Sequence, residues 1–220
     1  VSYRHSSLVR HRQGHPARNF NIGSRETLKG TTREELLTFH SRYYSANRMA
    51  LALTGPASLD QLEAWARAHF SAVPDSQRAE LRYAPDYLPP KAALRLLRME
   101  PVKDLRRLTL SFPLPDLRAE AGSKPAELVG FVLGTEGKGS LLAALKAQGL
   151  ATGLGAGATA ETPDYGAFDV SISLTPQGLT QYAHVLSMVF ATIDQLRRSG
   201  VPAYLFNERR TMAALDERFR

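Results

Sequence analysis

Apolar residues recur at helical spacing in some stretches of the chain and at every second position in others. Residues 1–12 read as the tail of a helix, and 13–30 as a loop broken by Gly14, Pro16, Asn19, Asn21, Gly23 and Gly30. Thr32-Arg33-Glu34-Glu35 fits a capping box, in which a threonine hydroxyl and a glutamate carboxylate satisfy each other's backbone N–H groups. Leu36, Phe39 and Tyr43 follow on one helical face. Residues 48–54 read as a buried strand. Ser58-Leu59-Asp60-Gln61 is a second capping box, before a helix with Leu59, Leu62, Trp65, Ala66 and Phe70 on its apolar side.

Residues 71–92 carry Pro74, Pro85, Pro89 and Pro90 among many charges and read as a linker. A boundary near residue 88 would divide the chain into units 1–88 and 89–220. Beyond it, 93–99 and 106–112 alternate as strands, 122–134 and 139–148 read as helices, and 151–160 and 165–174 read as a second strand pair. The last has the cleanest alternation, Phe168, Val170, Ile172 and Leu174 against Asp169, Ser171 and Ser173. Thr175-Pro176 supplies an N-cap and a first-turn proline for a long helix through Leu196, and Pro202 opens the final helix. Strands pair and helices pair, so the class is α+β, with antiparallel sheets packed against helices rather than a parallel βαβ sheet.

Composition narrows the function classes. No apolar run approaches the roughly 20 residues of a membrane span. The polar start, Val1 to His5, is not a signal peptide, and both ends read as cuts through helices. Cysteine is absent, which excludes disulfides, thiolate metal sites and cysteine nucleophiles. The formal charge is +7, but the cations are spread among acids, and the densest cluster (Arg95, Arg98, Lys103, Arg106, Arg107) has no interleaved aromatics. No nucleic-acid partner is expected from charge alone.

Three stretches invite chemistry. His11 and His15 stand at the i, i+4 spacing of helical zinc ligands. Gly14 and Pro16 argue that the chain is leaving a helix there, and no glutamate lies between to act as base, so no metal site is expected. His5, His40, His69 and His184 suit packing or hydrogen bonding. Gly134-Thr135-Glu136-Gly137-Lys138-Gly139-Ser140 fails as a phosphate loop, because Gly139 rather than Ser or Thr follows Lys138. Its glycines permit a tight turn, and Ser140 can cap the next helix. The glycines of Gly153-Leu154-Gly155-Ala156-Gly157 weaken a strand; a bulge, a tight sheet contact, or another backbone approaching closely would each require them.

The block FHSRYYSANRMALALTG (Phe39 to Gly55) resembles the M16 metallopeptidases of the pitrilysin and insulin-degrading enzyme branch. So does GTEGKGSLLAALKAQGL (Gly134 to Leu150), with Thr135 where relatives often carry His. His15-Pro16 with Asn19-Phe20 and Gly23, Pro101 to Leu108 with Phe112 to Asp116, and Leu174 to Gly178 extend the resemblance over nearly the whole chain. It implies the fold shared with mitochondrial processing peptidase and LuxS. Residues 1–88 would be the C-terminal part of the family's first domain, and 89–220 most of its second, catalytically silent domain. The family's His-x-x-Glu-His zinc helix and its glutamate ligand lie upstream of Phe39 and are not in this chain. The resemblance thus implies part of a zinc endopeptidase that degrades peptides in a closed chamber. This part would have no catalytic residue and no zinc, and its partners would be peptides and the parent's remaining domains. It also implies an exosite, where Leu154, Gly155, Ala156 and Gly157 take a peptide by strand addition and Gly137 and Gly139 form the neighbouring turn; Ala156 stands where relatives carry Gly. The alternative is a non-catalytic scaffold or peptide-binding subunit. Faces left bare would favour self-association. Bacterial relatives are often periplasmic, and eukaryotic ones cytosolic or organellar.

Overall fold

The computed structural model describes residues 12–19, 23–84, 87–88, 95–161, 164 and 166–219. Helices α1 (Arg25–Leu28), α2 (Arg33–Tyr43) and α3 (Leu59–Phe70) come first. Strand β1 (Arg107–Leu114) leads to α4 (Pro125–Gly134) and α5 (Leu141–Ala147). Strands β2 (Ala151–Glu161) and β3 (Gly166–Leu174) form a hairpin, followed by α6 (Pro176–Thr180), α7 (Tyr182–Ser199) and α8 (Ala203–Arg218). The sequence-predicted helix tail over 1–11, with His5 and His11, lies outside the described residues. No described helix is long and apolar enough to cross a membrane.

The alternation in 166–174 produces the centre of the fold. β3 pairs antiparallel with β1 on one side and β2 on the other, in the order β1-β3-β2. Phe168, Val170, Ile172 and Leu174 are buried and pack with Leu110, Leu133, Leu141, Leu142, Leu145, Val185 and Val189. Helices therefore cover one face of an antiparallel sheet, the α+β arrangement expected. The other face of β3 carries Asp169, Ser171 and Ser173, opposite Ser111, Thr109 and the β2 glycines.

Local signals place the helix ends. Thr32 and Glu35 make the reciprocal capping box, with Glu35 N–H donating to the Thr32 hydroxyl at 3.2 Å and Thr32 N–H to the carboxylate at 2.9 Å. Ser58 makes half of its box, accepting from Gln61 N–H at 3.3 Å. Thr175 caps α6 by accepting from Gly178 N–H, and its hydroxyl donates to the Gly149 carbonyl at 2.6 Å. Gly178 lies so close to β2 that an added Cβ would stand 1.8 Å from the Leu150 carbonyl oxygen.

Four expectations are corrected. The stretch 48–54 forms no strand: Arg48 ends a 3-10 turn, no described strand pairs with 49–54, and Met49, Leu51 and Leu53 are exposed. Of the strand read over 93–99, residues 95–99 are unladdered for the same reason, and 93–94 lie outside the described residues. The helix read from residue 122 starts at Pro125, since proline disfavours helical backbone before it and Lys124 adopts φ 47°. The long helix after Thr175 is broken at Gln181, where φ and ψ of −100° and 28° turn α6, held against Leu150, into α7 across the sheet.

The Arg42–Met49 block works as a clasp. Ser45 is buried, and its hydroxyl donates to Asn47 Oδ1 at 2.6 Å and accepts from Ser76 N–H at 2.8 Å. Asn47 donates from Nδ2 to the Arg78 carbonyl and accepts from Arg78 N–H. The linker beyond is tied to the sheet by the buried Tyr87 hydroxyl, which donates to the Gly166 carbonyl at 2.8 Å. Near the same end of the sheet, Arg82 pairs with Glu80 at 2.7 Å and Asp164 at 3.8 Å, and Arg118 pairs with Asp116 at 2.8 Å and Glu80 at 3.8 Å.

Candidate functional site

His15 is buried, and both ring nitrogens are committed to backbone. Nδ1 accepts from Ala17 N–H at 3.1 Å, and Nε2 lies 2.9 Å from the Ala84 carbonyl oxygen. Gly14 at φ +83° and the 3-10 turn Pro16–Arg18 place it in a loop, and His11 lies outside the described residues. That donor set does not fit a zinc ion, and no cluster of three or more potential ligands stands among the described residues. His40 stacks on Tyr44, and His184 Nε2 lies 2.9 Å from Gln148 Oε1.

The glycine-rich stretches meet elsewhere. β2 pairs with β3 along one side, and no described strand pairs with its other side. Leu154, Ala156 and Ala158 oppose the core-facing Ile172, Val170 and Phe168, so Gly153, Gly155 and Gly157 fall on the other face. Register shifts at Ala151/Gly153 and Ala158/Ala160 bracket the run. Bulges are present, then, but outside the Gly155–Gly157 segment. An added Cβ at Gly155 or Gly157 would meet nothing within 4 Å. Sheet packing therefore does not require glycine at either position.

The close approach is made from α4. A Cβ at Gly130 would stand 2.7 Å from the Ala156 oxygen, and one at Gly134 3.9 Å from its nitrogen. These glycines, one turn apart, let the helix lie against the β2 backbone. Where α4 ends, Thr135 donates its hydroxyl to the Phe131 carbonyl at 2.9 Å. Ser140 N–H closes the following turn on the Gly137 carbonyl at 3.0 Å, Gly139 taking φ +85°, and the Ser140 hydroxyl caps α5 by accepting from Ala143 N–H.

A groove of about 1100 Å³ opens between α4, this turn, β2 and α8. Gly137, Leu154, Gly155, Ala156 and Gly157 all line it; Gly139 belongs to the same turn but not to the lining. Sequence reasoning missed the other walls. Glu127, Gly130, Phe131 and Gly134 come from one face of α4, and Tyr204, Leu205, Glu208, Arg209 and Met212 from α8. The four-residue spacing of Gly130 and Gly134, and of Tyr204, Glu208 and Met212, was a readable signal of shared faces; what those faces oppose was not. Across the groove Arg209 pairs with Glu127 at 3.2 Å, and Lys124 reaches the same carboxylate at 3.6 Å. Glu136, on the turn, pairs with Lys146 at 3.6 Å. Among the described residues the arrangement offers a sheet edge with no strand paired to it, open backbone and charged walls, with no cluster of metal ligands beside it.

A family model described as the peptidase M16 inactive domain matches residues 31–212. The A-factor-processing enzyme of Saccharomyces cerevisiae is 38% identical over 202 residues, covering 88% of this chain and 20% of that protein. The insulin-degrading enzyme of Drosophila melanogaster is 33% identical over 211 residues, again covering 88% of this chain and 20% of that protein. The crystal structure of pitrilysin superposes with a TM-score of 0.80 at 25% identity, over 93% of this chain and 22% of that one. The chain thus spans about a fifth of the length of these relatives.

Proposed function

Because the chain belongs to the M16 peptidase family and matches its inactive domain, we propose that it is the part of a zinc endopeptidase that holds peptide rather than cutting it. The observation carrying this is the side of β2 that no described strand pairs with, lining a groove with Gly155 and Gly157 open to approach. A peptide adding as a strand there would be held by main-chain hydrogen bonds, which tolerate many sequences. Leu154, Gly155, Ala156 and Gly157 are the edge, and Gly137 and Gly139 the turn at its end. In the proposed parent, zinc supplies a Lewis acid and an activated water. The His15 ring, bonded to backbone at both nitrogens, takes no part in that. The proposed boundary near residue 88 falls just after Tyr87, whose hydroxyl meets the sheet. The remaining domains of the parent would close the chamber around the groove.

The test uses the purified chain and a fluorescent peptide of eight residues with a free amino terminus. Binding is read by anisotropy and integrity by mass spectrometry. The expected result is binding without cleavage. Backbone N-methylation at alternate residues should weaken binding about fivefold for each edge hydrogen bond lost, since a net bond is worth about 1 kcal/mol. Indifference to N-methylation at every position would overturn the strand reading. Chelator-sensitive hydrolysis by the pure chain would overturn the non-catalytic one.

A further inference from the structure

Tyr204, Glu208 and Met212 stand at four-residue spacing on α8, and all three line the groove facing β2. Spacing of that kind stacks side chains along one helix face. All three are exposed, Tyr204 by 66% and Met212 by 45%, so the α8 interior does not use them. Their charge environment singles out the middle one. Glu127 shares its carboxylate between Arg209 and Lys124, and Glu136 is paired with Lys146. Among the described residues the Glu208 side chain makes no hydrogen bond or ion pair, although Arg209 is its neighbour in sequence. It is an unmatched carboxylate between an aromatic ring and a thioether.

That combination is suited to one kind of side chain. A carboxylate takes a cationic head, an aromatic face attracts the same charge, and a thioether packs along an aliphatic stem. We propose that this face of α8 holds a lysine or arginine side chain of the peptide that pairs with β2. The inference rests on the peptide-binding reading above and adds a preference to it. Arginine is favoured over lysine, because a planar guanidinium can stack on Tyr204 while pairing with Glu208. Lys138, on the turn, has no ion pair among the described residues either, so a basic side chain placed against that wall would be repelled. The preference is therefore confined to the peptide position that faces α8.

The probe is a set of eight-residue alanine–threonine peptides carrying arginine, norleucine or glutamate at each position in turn. Affinity is measured by anisotropy against the 220-residue chain and against Glu208→Gln and Glu208→Lys. Glu208 is exposed, so both variants should fold, and a thermal melt by circular dichroism checks it. At one position arginine should bind about fivefold more tightly than norleucine, and glutamate more weakly, as expected for an exposed ion pair with a cation–π contribution. Glu208→Gln should cut that preference to about twofold or less, the part the Tyr204 face supports, and Glu208→Lys should remove it. A preference undiminished in Glu208→Gln, or equal binding of all three series with N-methylation still weakening them, overturns this inference and leaves strand addition standing. Failure of every peptide to bind overturns both.

Discussion

A methyl group added at Gly130 would meet the Ala156 carbonyl oxygen at 2.7 Å, whereas one added at Gly155 would meet nothing within 4 Å. The first glycine is set by helix–strand packing; the second is left free by it. Gly130→Ala should therefore lower stability by about 1–2 kcal/mol, the overpacking outweighing a gain in helix propensity of up to about 1 kcal/mol. Gly155→Ala should leave stability within about 0.5 kcal/mol or raise it slightly. Thermal melts of the two variants check this; equal losses would mean that the fold needs both glycines. Asp116 offers a second measurement. The Arg118 guanidinium and backbone N–H bond its carboxylate and hold the pKa at about 2, below the usual 3.8. A carboxyl lowered on folding favours the folded state above about pH 3.8, and that contribution disappears as pH falls through about 2. Both side chains are solvent-exposed, so the effect is on titration more than on stability. Carbon-detected NMR should place the Asp116 midpoint near 2 and move it toward 3.8 in Arg118→Ala; an unmoved midpoint would contradict the pairing.

At the scale of elements, local rules worked where the chain's partners are its own neighbours. The Thr32–Glu35 box, the Thr175-Pro176 start of α6 and the period of two in β3 each depend on residues a few positions apart. Residues 48–54 show where such rules stop. Their apolar pattern reads as a buried strand, yet burial needs pairing with a neighbour, and the three described strands do not include them. The same holds for α3, whose apolar stripe is regular but has Leu59, Trp65 and Phe70 exposed. The candidate site divides in the same way. The glycines of β2 and the 137–139 turn stand out in sequence, because glycine at those densities must answer to backbone. The α4 and α8 walls do not, because Glu127 and Arg209 meet only after the sheet has brought segments 82 positions apart into contact.

Across the whole molecule the apolar exposure is uneven. Buried apolar residues are found in the sheet and the helices on it, with Tyr87 and Leu205 beside them, while Leu36, Phe39, Leu59, Trp65 and Phe70 are bare. With the chain at about a fifth of its relatives' length, the proposed parent domains are the natural cover for these residues. The isolated chain should then self-associate through them. Sedimentation equilibrium should show the average mass rising with concentration, and the double variant Leu59→Lys, Trp65→Glu should reduce the rise; a monomer at every concentration would contradict it. The peptide groove lies on other elements, so self-association and peptide binding should be separable.

Amide hydrogen exchange across β2, with and without a bound peptide, tests strand addition most directly. Within residues 154–158, the expected result is slowed exchange at alternate amides, those whose N–H groups β3 does not already hold. Unchanged exchange throughout β2 at saturating peptide, or protection confined to α2 and α3, would contradict it.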